Sequence, residues 1–150
     1  MAAPTKVLLV VAHPVIASGI ETLLKLEGDY DLRRVASVAE AVKSREWGPQ
    51  VALVDGTLLS GYADVALGTP AYVLSGSERD GRSLARRLDD GRGWLRKDAT
   101  GPELARAIES LMRPASSEEG GLGRLGVMTV AILSIVVFAL VAYLIWLAVY

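Results

Sequence analysis

The sequence predicts an α/β domain with a doubly wound, five-stranded parallel sheet, followed by one membrane-spanning helix. Three observations predict it. Short apolar, β-branched runs alternate with stretches of helical periodicity as far as residue 112, the pattern of a parallel sheet covered by helices on both faces. The run Val51-Ala52-Leu53-Val54-Asp55-Gly56 is too short for a helix and apolar without alternation, as a central strand buried on both faces requires. Every Lys, Arg, Asp and Glu lies at or before Arg124, so the stretch 125–150 carries no charged side chain.

The elements follow in order. Lys6 to Ala12 is a buried strand, stopped by His13-Pro14, and proline suits the first turn of the helix that follows. Ile16, Ile20, Leu23 and Leu24 recur at helical spacing until Gly28 closes that helix. His13 reads as a loop residue before a helix start. Tyr30 to Ala36 is a more polar strand, suited to an edge. Ser37-Val38-Ala39-Glu40 is a capping box opening a second helix that ends before Gly48-Pro49. Val51 to Asp55 is the third strand. Glycines 61 and 68 interrupt the apolar residues between Gly56 and Pro70, so one or two helical turns at most are expected there. Ala71 to Ser75 is the fourth strand, Arg79 to Asp90 a charged helix with Leu84 and Leu88 inward, and Gly93 to Lys97 the fifth strand. Thr100-Gly101-Pro102-Glu103 is a second capping box, and Leu104, Ile108 and Leu111 mark the inner face of the helix behind it.

Composition removes several function classes. The formal net charge of −1 gives no electrostatic footprint for nucleic acid. With no cysteine there is no disulfide, thiolate metal site or cysteine nucleophile, and one histidine excludes a multi-histidine metal site. The six apolar residues before His13 are too few for a secretion signal.

Residues 113–124 (RPASSEEGGLGR) read as a flexible linker. Residues 126–150 are apolar apart from Thr129, Ser134 and aromatic side chains, and are about 37 Å long as a helix, enough to cross a hydrocarbon core of about 30 Å. Arg113 and Arg124 precede it and no charged side chain follows, which places the N-terminal domain in the cytoplasm. Tyr143, Trp146 and Tyr150 fall on one helix face and read as aromatics at the far membrane interface.

Three polar residues stand at the carboxyl ends of three strands: Asp55, Ser75 and Lys97. With KVLLVVAHPVIASGIETLL, VALVDG, AYVLSGS and GWLRKDATGPELARAIESL around them, residues 6 to 112 resemble the receiver domain of bacterial response regulators, more narrowly the NarL/LuxR type. The resemblance implies a flavodoxin-like fold with a shortened third helix. It also implies phosphoryl transfer from a histidine kinase onto Asp55, contacted by the Ser75 hydroxyl and balanced by the Lys97 ammonium. Trp94 matches the aromatic that reorients on activation.

The chain departs from the family where the metal sits. The acidic pair that holds Mg²⁺ is replaced by Val11 and Ala12, whose side chains offer no oxygen ligand. Mg²⁺ is therefore not expected, nor any other cofactor, and Asp55 reads as a vestigial phosphoacceptor rather than a catalytic residue. In place of the family's DNA-binding domain stands the apolar segment. The sequence thus predicts a pseudo-receiver over 1–112, a linker over 113–124 and a transmembrane helix over 125–150. Such a chain is no enzyme: it would sit in the bacterial cytoplasmic membrane and bind a membrane-associated protein as a signalling or scaffolding module. The partner surface implied by the resemblance is Arg79 to Asp90, Gly93 to Arg96 and Pro102 to Met112. Two other readings remain: an accessory subunit of a multi-protein membrane complex, and a phosphoryl-accepting receiver using Asp55.

Overall fold

The computed structural model describes residues 3–113. Five strands and five helices alternate: β1 (Thr5–Val10), α1 (Pro14–Glu27), β2 (Tyr30–Val35), α2 (Val38–Lys43), β3 (Val51–Asp55), α3 (Gly56–Leu59), β4 (Ala71–Ser75), α4 (Glu78–Ala85), β5 (Gly91–Arg96) and α5 (Gly101–Met112). A 3-10 turn, Ser44–Trp47, extends α2. The strands pair in the order β2-β1-β3-β4-β5, every pair parallel. Strand order reverses between β1 and β3, and open sheets of this kind bind ligands at the carboxyl ends of the strands beside that reversal. Asp55, the last residue of β3, stands there.

Alternation along the strands divides the core. Val7, Leu9, Val51 and Leu53 face the layer of α1 and α5, with Ile20, Leu24, Leu104 and Ile108. Leu8, Val10, Ala52 and Val54 face the other layer, with Val38, Leu59, Ala85 and Leu88. All five residues of β3 are buried. Each fully buried Val or Leu contributes about 1.5–3 kcal/mol, so β3 anchors both layers.

The capping box at α5 closes as expected, and at α2 the returning bond reaches one residue further back, to Ala36 rather than to Ser37. Glu40 N–H donates to Ser37 Oγ at 3.2 Å and the Glu40 carboxylate accepts the Ala36 N–H at 2.9 Å. At α5 the Thr100 N–H donates to Glu103 Oε2 at 2.8 Å, and Glu103 N–H to Thr100 Oγ1 at 3.4 Å. These satisfy amides that no helical carbonyl can reach.

Four expectations need correction. The charged helix expected over Arg79 to Asp90 ends at Ala85, because the chain turns there and Leu88 forms a parallel bridge with Val65. Leu88 is buried, as expected, but by that bridge rather than by helical periodicity. In α1 the inward positions are Ala17, Ile20 and Leu24, while Ile16 is 36% exposed. β1 ends at Val10 rather than Ala12, and β5 runs from Gly91 to Arg96 rather than from Gly93 to Lys97. The α3 region behaves as expected, with one helical turn.

Among the described residues no helix is long and apolar enough to cross a membrane. The expected transmembrane helix, its interface aromatics Tyr143, Trp146 and Tyr150, and the linker after Arg113 lie outside the described residues.

Candidate functional site

The carboxyl edge of the sheet gathers the three polar residues singled out in the sequence. Asp55 ends β3, Ser75 ends β4 and Lys97 follows β5. Asp55 is 5% exposed and Ser75 7% exposed, two of the few buried polar side chains. Lys97 reaches across the end of β4 to bring Nζ within 3.0 Å of Asp55 Oδ1. Its backbone N–H meanwhile donates to the Ser75 carbonyl at 3.2 Å, continuing the pairing of β4 with β5 for one more residue. Burial of a carboxylate is costly unless it is paired and hydrogen-bonded, and Asp55 is both.

The second set of donors comes from Thr57. Its N–H and its hydroxyl donate to the same Asp55 Oδ1 at 3.1 and 3.0 Å. Asp55 thereby caps α3, the four-residue helix beginning at Gly56. One carboxylate oxygen therefore holds three donors from two elements. Thr57 was not singled out in the sequence, although an aspartate with a threonine two residues on is the pattern of an Asx-turn.

Ser75 serves the loop behind it, its Oγ accepting the Ser77 N–H at 3.2 Å. Ser77 in turn caps α4, accepting the Asp80 N–H at 3.2 Å. Trp94 lies half-buried in β5, beneath α4. A Cβ at the buried Gly81 would stand 2.6 Å from Trp94 Cβ, so only glycine permits this closeness of α4 and β5. His13 precedes α1, exposed, and makes no side-chain cap. A cleft of about 540 Å³ opens beside the ion pair, lined among others by Ser60, Ser77, Ser83, Arg87 and Lys97.

The residues present do not fit Mg²⁺. Val11 is 1% exposed, packed in the core layer of α1 and α5, and Ala12 is exposed with only a methyl group. Glu40 lines the same crevice as Val11 and Ala12 but commits Oε2 to the Ala36 N–H. Among the described residues no group of three or more His, Asp or Glu could hold a metal ion. An octahedral ion needs hard oxygen ligands, and the strand ends supply one carboxylate, Asp55, whose Oδ1 is already engaged; Asp80, which also lines the cleft, stands in the first turn of α4. Chemically the arrangement can hold a buried charge and orient donors toward the cleft.

No protein-family model matches the chain, and comparison with curated protein sequences returns no match. Solved structures do match. The receiver domain of the sensor histidine kinase PA1611 from Pseudomonas aeruginosa PAO1, with a magnesium ion coordinated in its active-site cleft, is 26% identical. That match covers 73% of this chain and 98% of the other, at a TM-score of 0.58. SdrG from Pseudomonas melonis Fr1 in its BeF3-activated conformation is 25% identical over 75% of this chain and 100% of its own, at 0.58. A CheY-like receiver domain from Methylobacillus flagellatus is 17% identical over 73% and 99%, at 0.56. The fold is thus that of CheY-like response regulator receiver domains, as the resemblance in the sequence implied.

Proposed function

We propose that this chain is a membrane-tethered pseudo-receiver that binds another protein without phosphoryl chemistry. The observation that carries this reading is the state of Asp55. Its Oδ1 is engaged by Lys97 and Thr57, and the positions that would bring acids beside it are a buried valine and a methyl group. A phosphoryl donor approaching a carboxylate without a metal meets charge repulsion offset by one ammonium. Several kcal/mol of transition-state stabilisation is then missing. What remains is a rigid domain with a defined surface.

The tether is the charge-free segment 125–150, and the surface is the face of α4, β5 and α5. A groove of about 480 Å³ on that face is lined by Tyr72, Trp94, Leu95, Arg96 and Arg106 among others. An aromatic and an arginine in one concavity are the residue types that dominate binding energy at protein interfaces. The partner is a membrane-associated protein, and the compartment the bacterial cytoplasmic membrane with the domain in the cytoplasm.

Affinity purification of the full chain from solubilised membranes tests this reading. A stoichiometric partner that survives Asp55→Asn and is lost with Trp94→Ala or Arg96→Glu is the expected result. Partner loss on swapping residues 125–150 for an unrelated span, with Trp94→Ala silent, points instead to an accessory subunit held through its helix. Mg²⁺-dependent labelling from acetyl phosphate that disappears in Asp55→Asn would overturn the proposal in favour of a working phosphoreceiver.

A further inference from the structure

The stretch 59–68 has no regular structure beyond the end of α3, yet it is bound at both ends to the segment that follows α4. Arg87 Nη1 donates to the carbonyl oxygens of Leu59, Ser60 and Tyr62 at 3.1, 3.1 and 3.0 Å. The Val65 N–H donates to the Arg87 carbonyl at 2.7 Å, and the Asp89 N–H to the Val65 carbonyl at 3.0 Å. The Asp89 carboxylate accepts the N–H groups of Leu67 and Gly68 at 3.0 and 2.9 Å. Arg45 adds a bond from its guanidinium to the Ala66 carbonyl. Beneath these bonds Leu59, Val65, Leu67 and Leu88 are buried.

The chain leaving a helix as short as α3 has carbonyls that no helical N–H can reach, and Arg87 gathers those of Ser60 and Tyr62 together with that of Leu59, the last residue of α3. The side-chain bonds of Arg87 and Asp89 are charge-assisted, and those to Leu59 and Leu67 are partly buried, where each counts for more than at an open surface. On its other side α4 is held by the contact of Gly81 with Trp94. The helix is therefore held on one flank and at the segment that leaves its carboxyl end.

We infer that this clasp is a conformational lock. It joins the segment that begins at Asp55 to the end of α4, so that α4 and β5 present one arrangement whatever the charge of Asp55. Because Asp55 caps α3, a rearrangement that travels from Asp55 through α3 has to draw the carbonyls of Leu59, Ser60 and Tyr62 off Arg87 before it reaches the end of α4. The inference deepens the proposed function, since the face it fixes is the one that reading assigns to the partner. The lock itself needs neither membrane nor partner.

Hydrogen–deuterium exchange of the full chain in detergent micelles tests it, comparing wild type with Asp55→Asn, Arg87→Ala and Asp89→Asn. Asp55→Asn is expected to leave exchange across residues 78–96 unchanged. Arg87→Ala is expected to speed exchange in residues 56–68 and 84–90 roughly tenfold or more, and Asp89→Asn to do so to a smaller extent. If Arg87→Ala fails to fold, Asp89→Asn reads the same segments. A severalfold change across 78–96 in Asp55→Asn overturns the lock, as does unchanged exchange in the foldable clasp variants. Failure to recover a partner from membranes would instead count against the functional reading and leave this result standing.

Discussion

Lys97 Nζ meets Asp55 Oδ1 at 3.0 Å, and the two side chains differ in their access to water, at 33% and 7% exposed. The pair joins β3 to the residue after β5 across the intervening β4, so it ties together the middle and one side of the sheet. Because the partners are unequally buried, removing one is not equivalent to removing the other. The cost falls on whichever charge is left behind without water.

Lys97→Ala leaves the Asp55 carboxylate buried with only the two Thr57 donors. Partial exposure of the lysine screens the pair, so the loss is set at about 1–2 kcal/mol rather than at the value for a fully buried pair. Asp55→Asn leaves a neutral amide that still accepts from Thr57, while Lys97 turns toward solvent. It is expected to cost less than Lys97→Ala. Urea denaturation of the two variants checks the order, and the reverse order would show that the lysine, not the acid, is the stranded member.

The positions that would carry acids in a metal-binding receiver predict an equally plain asymmetry. Val11 is 1% exposed and packed with Leu9, Ala17 and Leu53, whereas Ala12 is exposed. Ala12→Asp is expected to change stability by no more than about 0.5 kcal/mol. Val11→Asp buries a carboxylate in an apolar layer and is expected to cost at least about 2–4 kcal/mol at neutral pH. Thermal melting of both variants with and without Mg²⁺ is the measurement. Near-equal melting temperatures would mean that the end of β1 opens readily enough to hydrate an acid at position 11.

How much of this was legible in the sequence depends on the range of the interaction. β3 could be read from five consecutive residues because burial on both faces demands apolar side chains at every position before Asp55. The capping boxes at Ser37 and Thr100 were legible because the bonds close within three or four residues. Asp55, Ser75 and Lys97 came together because each ends or follows a strand, and parallel strands deliver their ends to one edge. The clasp was not legible. Arg87 lies 28 residues from Leu59 and Asp89 lies 22 from Leu67, and neither spacing has a local signature. The same cause misplaced the end of α4. Leu84 and Leu88 sit at helical spacing, but Leu88 is drawn into a bridge with Val65 that no local pattern announces.

Two helix glycines should respond to alanine in opposite directions. Gly19 in α1 has nothing within 4 Å of the position a Cβ would take. Gly19→Ala is therefore expected to stabilise by about 0.5–1 kcal/mol, through helix propensity and a less flexible unfolded chain. Gly81 in α4 would gain the same term, but its new Cβ meets Trp94 Cβ at 2.6 Å and Ser75 Cβ at 3.2 Å. Overpacking of that kind costs about 1–3 kcal/mol, so a net destabilisation is expected. Trp94→Ala would not rescue it, since alanine keeps the Cβ that makes the first contact. Chemical denaturation of Gly81→Ala, alone and with Trp94→Ala, decides the point.

Tyr30, at the start of β2, supplies a pH dependence. Its phenol is raised above the ordinary value of 10.0, first by burial and then by the negative charges of Glu109 and Glu27. Each of these causes disfavours the phenolate in the folded chain. The folded state thus holds the proton to higher pH than the unfolded state, and wherever it binds more protons, stability falls as pH rises. The contribution is complete below pH 10 and is lost as pH climbs from there through the folded value. Tyr30→Phe removes the group that titrates. The stability difference between wild type and Tyr30→Phe should be constant from pH 7 to 9 and shift against wild type above pH 10. Urea denaturation across that range measures it, and a difference that stayed flat to pH 11.5 would mean that Tyr30 ionises as freely in the folded chain as in the unfolded one.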